Sequence, residues 1–312
     1  MKHVSIVGGG NVGTNTAFFV AENRAASVTL VDVRPGITTG KALDLMEAAP
    51  IRGYDTKIKG SDSIDAIAGS DVVVLAAGRV RRPGEERTDL SRDNAATVAG
   101  ICAQITKLAP KAIVINVVEP VDLLTLLAQE TLGAERFRVM GVGGLLSSTR
   151  LRYLVSHAFG VSPREVTALV IGPHRKSMVF LRDTIRISGV PASQLMDAGA
   201  LDRLIEQARA AGDTILTLAQ RSTAYYAPSA AAAALVEAVV RDTHAVLPVS
   251  IRCQGEYGVS DLAVGVPAMV GAGGVERVID VAPSDAEQRA FRAAVAELTA
   301  ARRQVTSSAS SR

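Results

Sequence analysis

The chain has 312 residues, which at about 150 residues per domain implies two domains or one large one. Hydrophobic residues make up 48% and charged residues 21%, enough apolar side chains for a sizeable core and too many for a disordered chain. Basic residues number 34 against 31 acidic ones; the net charge of +3, with 4% aromatic residues and no Trp, excludes the basic, aromatic-studded surface of a nucleic-acid binder.

Cys102 and Cys253 lie far apart, offer no metal-ligand spacing and form no disulfide framework, so they are expected to be buried thiols of a reducing compartment. The apolar stretch 230–240 is too short to cross a bilayer and runs into Arg241 and Asp242. The opening MKHVSIVGGG is broken by glycines before it reaches the length of a signal-peptide core. The expectation is a cytoplasmic protein without a membrane or nucleic-acid partner.

In chain order, short apolar runs recur at 4–7, 28–31, 72–75, 113–115 and 139–140, without the alternation of a half-wet strand. Helical patterns fall between them at 11–22, 36–49, 92–108 and 121–131. Continuous β-branched runs separated by helices predict an α/β fold with a doubly wound parallel sheet of the Rossmann kind, covered on both faces. After Gly143 the rhythm changes. Strands are expected near 166–171 and 185–187, a long amphipathic helix at 200–220, and an Ala-rich helix at 229–241. The segments 245–253, 261–270 and 275–281 then read as a three-stranded meander. A final helix opens with Ser284 and Glu287 in capping-box spacing, runs to about Arg303 and leaves a polar tail. This divides the chain into a dinucleotide-binding domain, 1–142, and a mixed α+β catalytic domain, 143–312.

Gly8, Gly10 and Gly13 form G-x-G-x-x-G between the first strand and the first helix. In that context the first glycine allows the tight turn, the second lets backbone approach a pyrophosphate, and the third packs helix on strand. Asp32 closes the second strand, where a carboxylate binds both hydroxyls of an adenosine ribose and repels a 2′-phosphate. The cofactor expected from this set is NAD. Arg34, two residues on, is placed to pair with a phosphate and keeps NADP as the minor alternative.

The third long apolar run ends in Ala76, Ala77 and Gly78 and leads into RVRRPGEERTDLSRDN, with five arginines beside a Pro-Gly pair. Loops at the carboxyl ends of parallel strands bind ligands in such sheets, and guanidinium forks suit carboxylates and phosphates. GGGNVG, LVDVRPGITTGKALDLMEAAP, RVRRPGEERTDL, VGGLLSSTRLR, IGPHRKSMV and AYYAPSAAAAALVEAVVRD follow one another in order. With these segments the chain resembles the lactate/malate dehydrogenase family, in its lactate-dehydrogenase-like malate dehydrogenase branch, over nearly its whole length.

The resemblance implies NAD-dependent hydride transfer between a 2-hydroxy and a 2-oxo dicarboxylic acid. It assigns His174 as the acid/base, Arg87 as the loop residue that polarises the substrate carbonyl, Arg150 as the clamp on the 1-carboxylate, and Arg81 as the selector of a second acidic group. It extends the cofactor contacts to Asn11, Val12 and Asn94, and it implies a homodimer or homotetramer acting on a small anionic substrate.

Three positions depart from the family pattern. Ser147 stands where an aspartate orients and charges the histidine; a hydroxyl can still bond the ring but carries no charge. Glu119 replaces an asparagine that donates to the reacting oxygen, and an ionised glutamate cannot donate. It is expected to serve as the countercharge for His174. Arg175 and Lys176 replace a Gly-Asp pair. Two alternatives therefore stand beside the malate-type enzyme: a relative that acts on another anionic 2-oxo acid, and an NAD-binding protein with impaired catalysis.

Overall fold

The computed structural model describes residues 2–79, 87–220 and 223–307, without the side chains of 87–89 and 304–307. Arg81 lies outside these residues, and only the backbone of Arg87 is described. The first half comprises β1 (His3–Val7), α1 (Asn11–Glu22), β2 (Ser27–Val31), α2 (Ile37–Arg52), β3 (Ile58–Ser61), β4 (Val72–Leu75), α3 (Arg87–Leu108), β5 (Ile113–Asn116), α4 (Val121–Leu132) and β6 (Val139–Gly141). The second comprises α5 (Gly144–Phe159), β7 (Val166–Ile171), β8 (Val179–Ile187), β9 (Val190–Pro191), α6 (Ala192–Leu195) and α7 (Ala198–Ala219). It continues through α8 (Tyr226–Val240), β10 (Ala245–Gln254), β11 (Ser260–Gly271), β12 (Gly274–Val278) and α9 (Asp285–Ser307).

Strands β6-β5-β4-β1-β2-β3 run parallel in that spatial order, so the chain reverses direction across the sheet between β1 and β4. Open α/β sheets bind ligands beyond the carboxyl ends of their strands at that switch point. The four residues of β4 are buried, as are those of β5, which explains their unbroken apolar runs: both sheet faces are covered by helices.

The meander forms as expected, but it continues the parallel sheet. β10 pairs antiparallel with β6 at Ser250 and Gly141, making one nine-stranded sheet ending in β11 and β12. A single buried apolar cluster accordingly runs from Val4 and Ile6 to Val264 and Phe291. A separate antiparallel sheet, β7-β8-β9, packs its own core of Val170, Phe180 and Ile185 against Leu151 and Leu201.

Four elements have no counterpart in the sequence-based reading: β3, α5 and the short β9 and α6. β3, IKGS, buries only Ile58 fully, and its Gly and Lys are poor strand formers, so the pairing with β2 makes it a strand. α5 begins at Gly144 with no side-chain cap and buries its first five residues, and so lacks the polar punctuation that marks a helix start. The capping box of α9 is present: Glu287 accepts from the Ser284 amide at 2.8 Å while the Ser284 hydroxyl accepts from the Glu287 amide at 3.4 Å. No helix among the described residues is long and apolar enough to cross a membrane.

Candidate active site

The glycine turn joins β1 to α1. Gly8 has φ +122°, and a Cβ there would come within 2.4 Å of the Ala76–Ala77 backbone. A Cβ on Gly13 would lie 1.9 Å from the Gly8 carbonyl, so helix and strand approach closely enough to require glycine. Gly10 is different: nothing lies within 4 Å of its Cβ position, at the uncapped amino end of α1. Asn11 and Val12 form the first turn of that helix.

The Gly9 peptide is held from both sides. Its N–H donates to Asp32 Oδ2 at 2.8 Å and its carbonyl accepts from Lys41 Nζ at 2.6 Å. Arg34 also engages Asp32, through Nε to Oδ1 at 2.9 Å and Nη2 to Oδ2 at 3.0 Å. Those guanidinium hydrogen bonds, opposed by partial burial and helped by the backbone amides of Arg34 and Gly9, bring the Asp32 carboxyl down to about 2.

A cleft of about 350 Å³ opens beyond β4, β5 and β6, lined by Val12, Gly78, Glu119, Arg150 and His174 among others. His174 sits on the loop after β7, and its ring is 14% exposed. Its Nε2 lies 3.4 Å from Glu119 Oε1, while Glu119 Oε2 accepts from the Val121 amide at 3.1 Å. The ring's other nitrogen, Nδ1, is buried without a hydrogen-bond partner, and so is the hydroxyl of Ser147. The serine-to-imidazole hydrogen bond that residue type allows is therefore not formed.

Arg150 projects from α5 into the cleft, with its guanidinium against Gly212 of α7. Burial lowers it from its ordinary value, and the Glu119 carboxylate acts in the opposite sense. Arg175 and Lys176 do not line the cleft; Lys176 pairs with Asp213 of α7 at 2.7 Å. The extra positive charge beside His174 is thus directed partly at α7.

Asn94 is fully engaged by backbone. Its Oδ1 accepts from the Arg79 amide at 2.9 Å, and its Nδ2 donates to the Arg79 carbonyl at 3.1 Å and the Glu119 carbonyl at 2.8 Å. Both amide hydrogens are committed, so Asn94 straps the loop after β4 to the loop after β5 and sets where Glu119 stands.

Asp122 is a site residue that the sequence reading misses. Buried in the first turn of α4, it accepts the His174 amide at Oδ2, 2.7 Å, and the Ser250 hydroxyl at Oδ1, 2.7 Å. Burial pushes its carboxyl up to about 6, against the pull of those two hydrogen bonds. The available signal was an acidic residue on the buried face of the apolar run VDLLTLL.

A wider depression of about 700 Å³ lies at the amino ends of the strands, around Lys2, Asp71 and Pro110. Lys2 and Asp71 pair with each other there at 2.9 Å, and it is the opposite end of the sheet that carries the switch point.

Comparison with known proteins places this architecture. Residues 2–141 match the lactate/malate dehydrogenase NAD binding domain, and residues 145–309 match the alpha/beta C-terminal domain of the same enzymes. The chain belongs to the lactate/malate dehydrogenase family. Malate dehydrogenase of Thermomicrobium roseum is 43% identical over 308 residues, covering 98% of this chain and 99% of that protein. Malate dehydrogenase of a Roseiflexus species is 40% identical over 284 residues, 91% of this chain and 92% of the relative. Among solved structures, Cryptosporidium parvum malate dehydrogenase superposes with a TM-score of 0.95 at 32% identity, covering 98% of this chain and 99% of that one. The lactate dehydrogenase of the same organism, complexed with lactic acid and nicotinamide adenine dinucleotide, gives 0.93 at 31% identity and 98% coverage of both chains.

The residues present fit the family cofactor. The open backbone at Gly10, at the positive end of the α1 dipole, suits a diphosphate, and the cleft at the sheet switch point brings His174 to the same end of the strands.

Proposed function

We propose that this chain is an NAD-dependent oxidoreductase that interconverts a 2-hydroxy and a 2-oxo dicarboxylic acid of the malate/oxaloacetate type. The observation that carries this reading is the convergence of His174 and Arg150 in one cleft at the carboxyl ends of β4, β5 and β6, beside the Gly8–Gly13 turn. The malate dehydrogenase relatives over almost the full length support it.

In this reading Gly8, Gly10, Asn11, Val12 and Gly13 hold the dinucleotide diphosphate, and Asp32 faces the adenosine ribose. When bound, nicotinamide gives the hydride to the keto carbon or takes it from the alcohol. Arg150 receives the 1-carboxylate through its planar fork, and Arg81 and Arg87 complete the anion site as the family pattern implies. His174 transfers the proton at Nε2, the ring nitrogen with access to the cleft. Glu119 supplies negative charge to the imidazolium in place of the absent aspartate. It does so at the nitrogen that must also meet the substrate oxygen, so substrate and Glu119 compete for one proton.

That competition favours a second reading, in which the substrate is another anionic 2-oxo acid whose shape displaces Glu119. Loss of NADH absorbance with purified protein, measured with oxaloacetate and a panel of other 2-oxo acids, separates the two. Turnover of oxaloacetate supports the first, and turnover of other acids alone supports the second. NADH binding without turnover of any oxo acid indicates the impaired binding protein, and Ser147→Asp combined with Glu119→Asn then tests whether the remaining site works.

The division into a nucleotide half, 1–142, and a substrate half, 143–312, belongs to the same proposal. So do cytoplasmic residence, supported by two buried free thiols, and assembly as a homodimer or homotetramer. Exposed Leu43 and Ile51 on one face of α2 support assembly, which sedimentation measures directly.

A further inference from the structure

Arg34, paired with Asp32 just after β2, has no role in the reading above. We propose that Arg34 forms a subsite for a 2′-phosphate, so that the chain accepts the 2′-phosphorylated dinucleotide as well as the unphosphorylated one. This rests on the nucleotide-cleft reading of the glycine turn.

An ionised carboxylate has about four lone-pair positions, and a ribose diol needs some of them. At Asp32 they are filled. Oδ1 accepts from the Arg34 amide at 3.1 Å and from Arg34 Nε at 2.9 Å. Oδ2 accepts from the Gly9 amide at 2.8 Å and Arg34 Nη2 at 3.0 Å. A ribose that bonds to Asp32 must therefore displace the guanidinium.

Charge points the same way. A bare carboxylate at this position excludes a phosphate dianion by repulsion, and that is how such sheets select the unphosphorylated cofactor. Here the carboxylate is neutralised by a fork that leaves Nη1 without a partner among the described residues. The Arg34 side chain is 57% exposed against 11% for Asp32, so the positive partner faces solvent beside the glycine turn and the negative one is largely covered. Lys41, on the Gly9 carbonyl, adds a second cation to the same loop. Guanidinium pairs with phosphate through two parallel hydrogen bonds, which is the contact a 2′-phosphate offers.

The test uses nucleotides that lack nicotinamide, so that binding is read apart from turnover. Adenosine 2′,5′-bisphosphate and 5′-AMP are titrated by calorimetry into the wild-type protein, Arg34→Val and Arg34→Lys, with NADH binding followed by fluorescence in parallel. The wild type is expected to bind the bisphosphate at least as tightly as 5′-AMP. Arg34→Val is expected to weaken the bisphosphate about tenfold without weakening 5′-AMP, and Arg34→Lys to fall between. The ratio of kcat/KM for NADH over NADPH should rise with Arg34→Val. Bisphosphate binding about 100-fold weaker than 5′-AMP in the wild type, or equal effects of Arg34→Val on both nucleotides, overturns the subsite while NADH binding leaves the cleft reading intact. Absence of NADH binding overturns both.

Discussion

Glu119 meets His174 at the ring nitrogen that faces the cleft, 3.4 Å from Oε1 to Nε2, and not at the buried Nδ1. An orienting carboxylate normally occupies the nitrogen remote from the substrate, leaving the other free for proton transfer. Here the remote nitrogen has no partner, and the countercharge shares the working face. Glu119→Gln removes that charge. The expected result is a lower KM for a dicarboxylate, because the repulsion between Glu119 and the substrate is gone, together with a lower kcat, because the imidazolium loses its countercharge. Steady-state kinetics of the wild type and Glu119→Gln measure both effects, and an unchanged kcat refutes the countercharge role.

The glycine turn makes a paired prediction. Gly13→Ala places a methyl 1.9 Å from the Gly8 carbonyl and should destabilise the fold by about 3 kcal/mol or more, read as a lower Tm. Gly10→Ala meets open space at φ −73°, so the fold should be nearly unaffected. The new methyl then occupies the diphosphate cradle, and NADH affinity should fall at least about tenfold. Equal effects of the two substitutions on Tm contradict this assignment.

Asp122 ties the His174 backbone to Ser250, so Asp122→Ala leaves two buried donors unsatisfied and should cost about 2–4 kcal/mol. Asp122→Asn keeps an acceptor for His174 and a donor for Ser250. The sign of its pH effect follows from the carboxyl's rise from 3.8 to about 6 on folding. The folded state binds this proton more tightly, so the contribution of Asp122 to stability is greatest below about pH 4 and is lost as pH rises toward about 6. Denaturant titrations across that window should show the stability difference between wild type and Asp122→Asn shifting in favour of Asp122→Asn as pH rises.

Asn94→Ala removes three hydrogen bonds that strap the Arg79 and Glu119 loops together. The buried backbone groups left behind predict about 2 kcal/mol lower stability. Because Glu119 loses its anchor, kcat and KM for a dicarboxylate should also change in the directions expected for Glu119→Gln. A drop in Tm with unchanged kcat and KM would limit Asn94 to a structural role.

Much of this architecture is written locally. Runs such as 72–75 and 113–115 are apolar on both faces because helices cover both, and the period of a buried parallel strand survives in any single stretch of sequence. The glycine turn is legible for a similar reason, since backbone approach and left-handed φ restrict residue type one position at a time. Asp32 was placed by its distance from that turn, whereas His174 was assigned only through the family resemblance, because a single histidine in a loop carries no local signal of its own.

Other features depend on groups distant in the chain. Asp122 and His174 are separated by 52 positions, and Asp122 and Ser250 by 128, so no local spacing reveals that one buried carboxylate holds both. The addition of β10 to β6, which merges the meander with the parallel sheet, turns on the single pairing of Ser250 with Gly141. Which imidazole nitrogen receives Glu119 was likewise invisible: composition supplied the charge, but the packing of α4 against the loop after β7 aimed it. Periodicity and turn chemistry act between neighbours and are carried by residue type, whereas partner choice between buried polar groups follows from how whole elements dock.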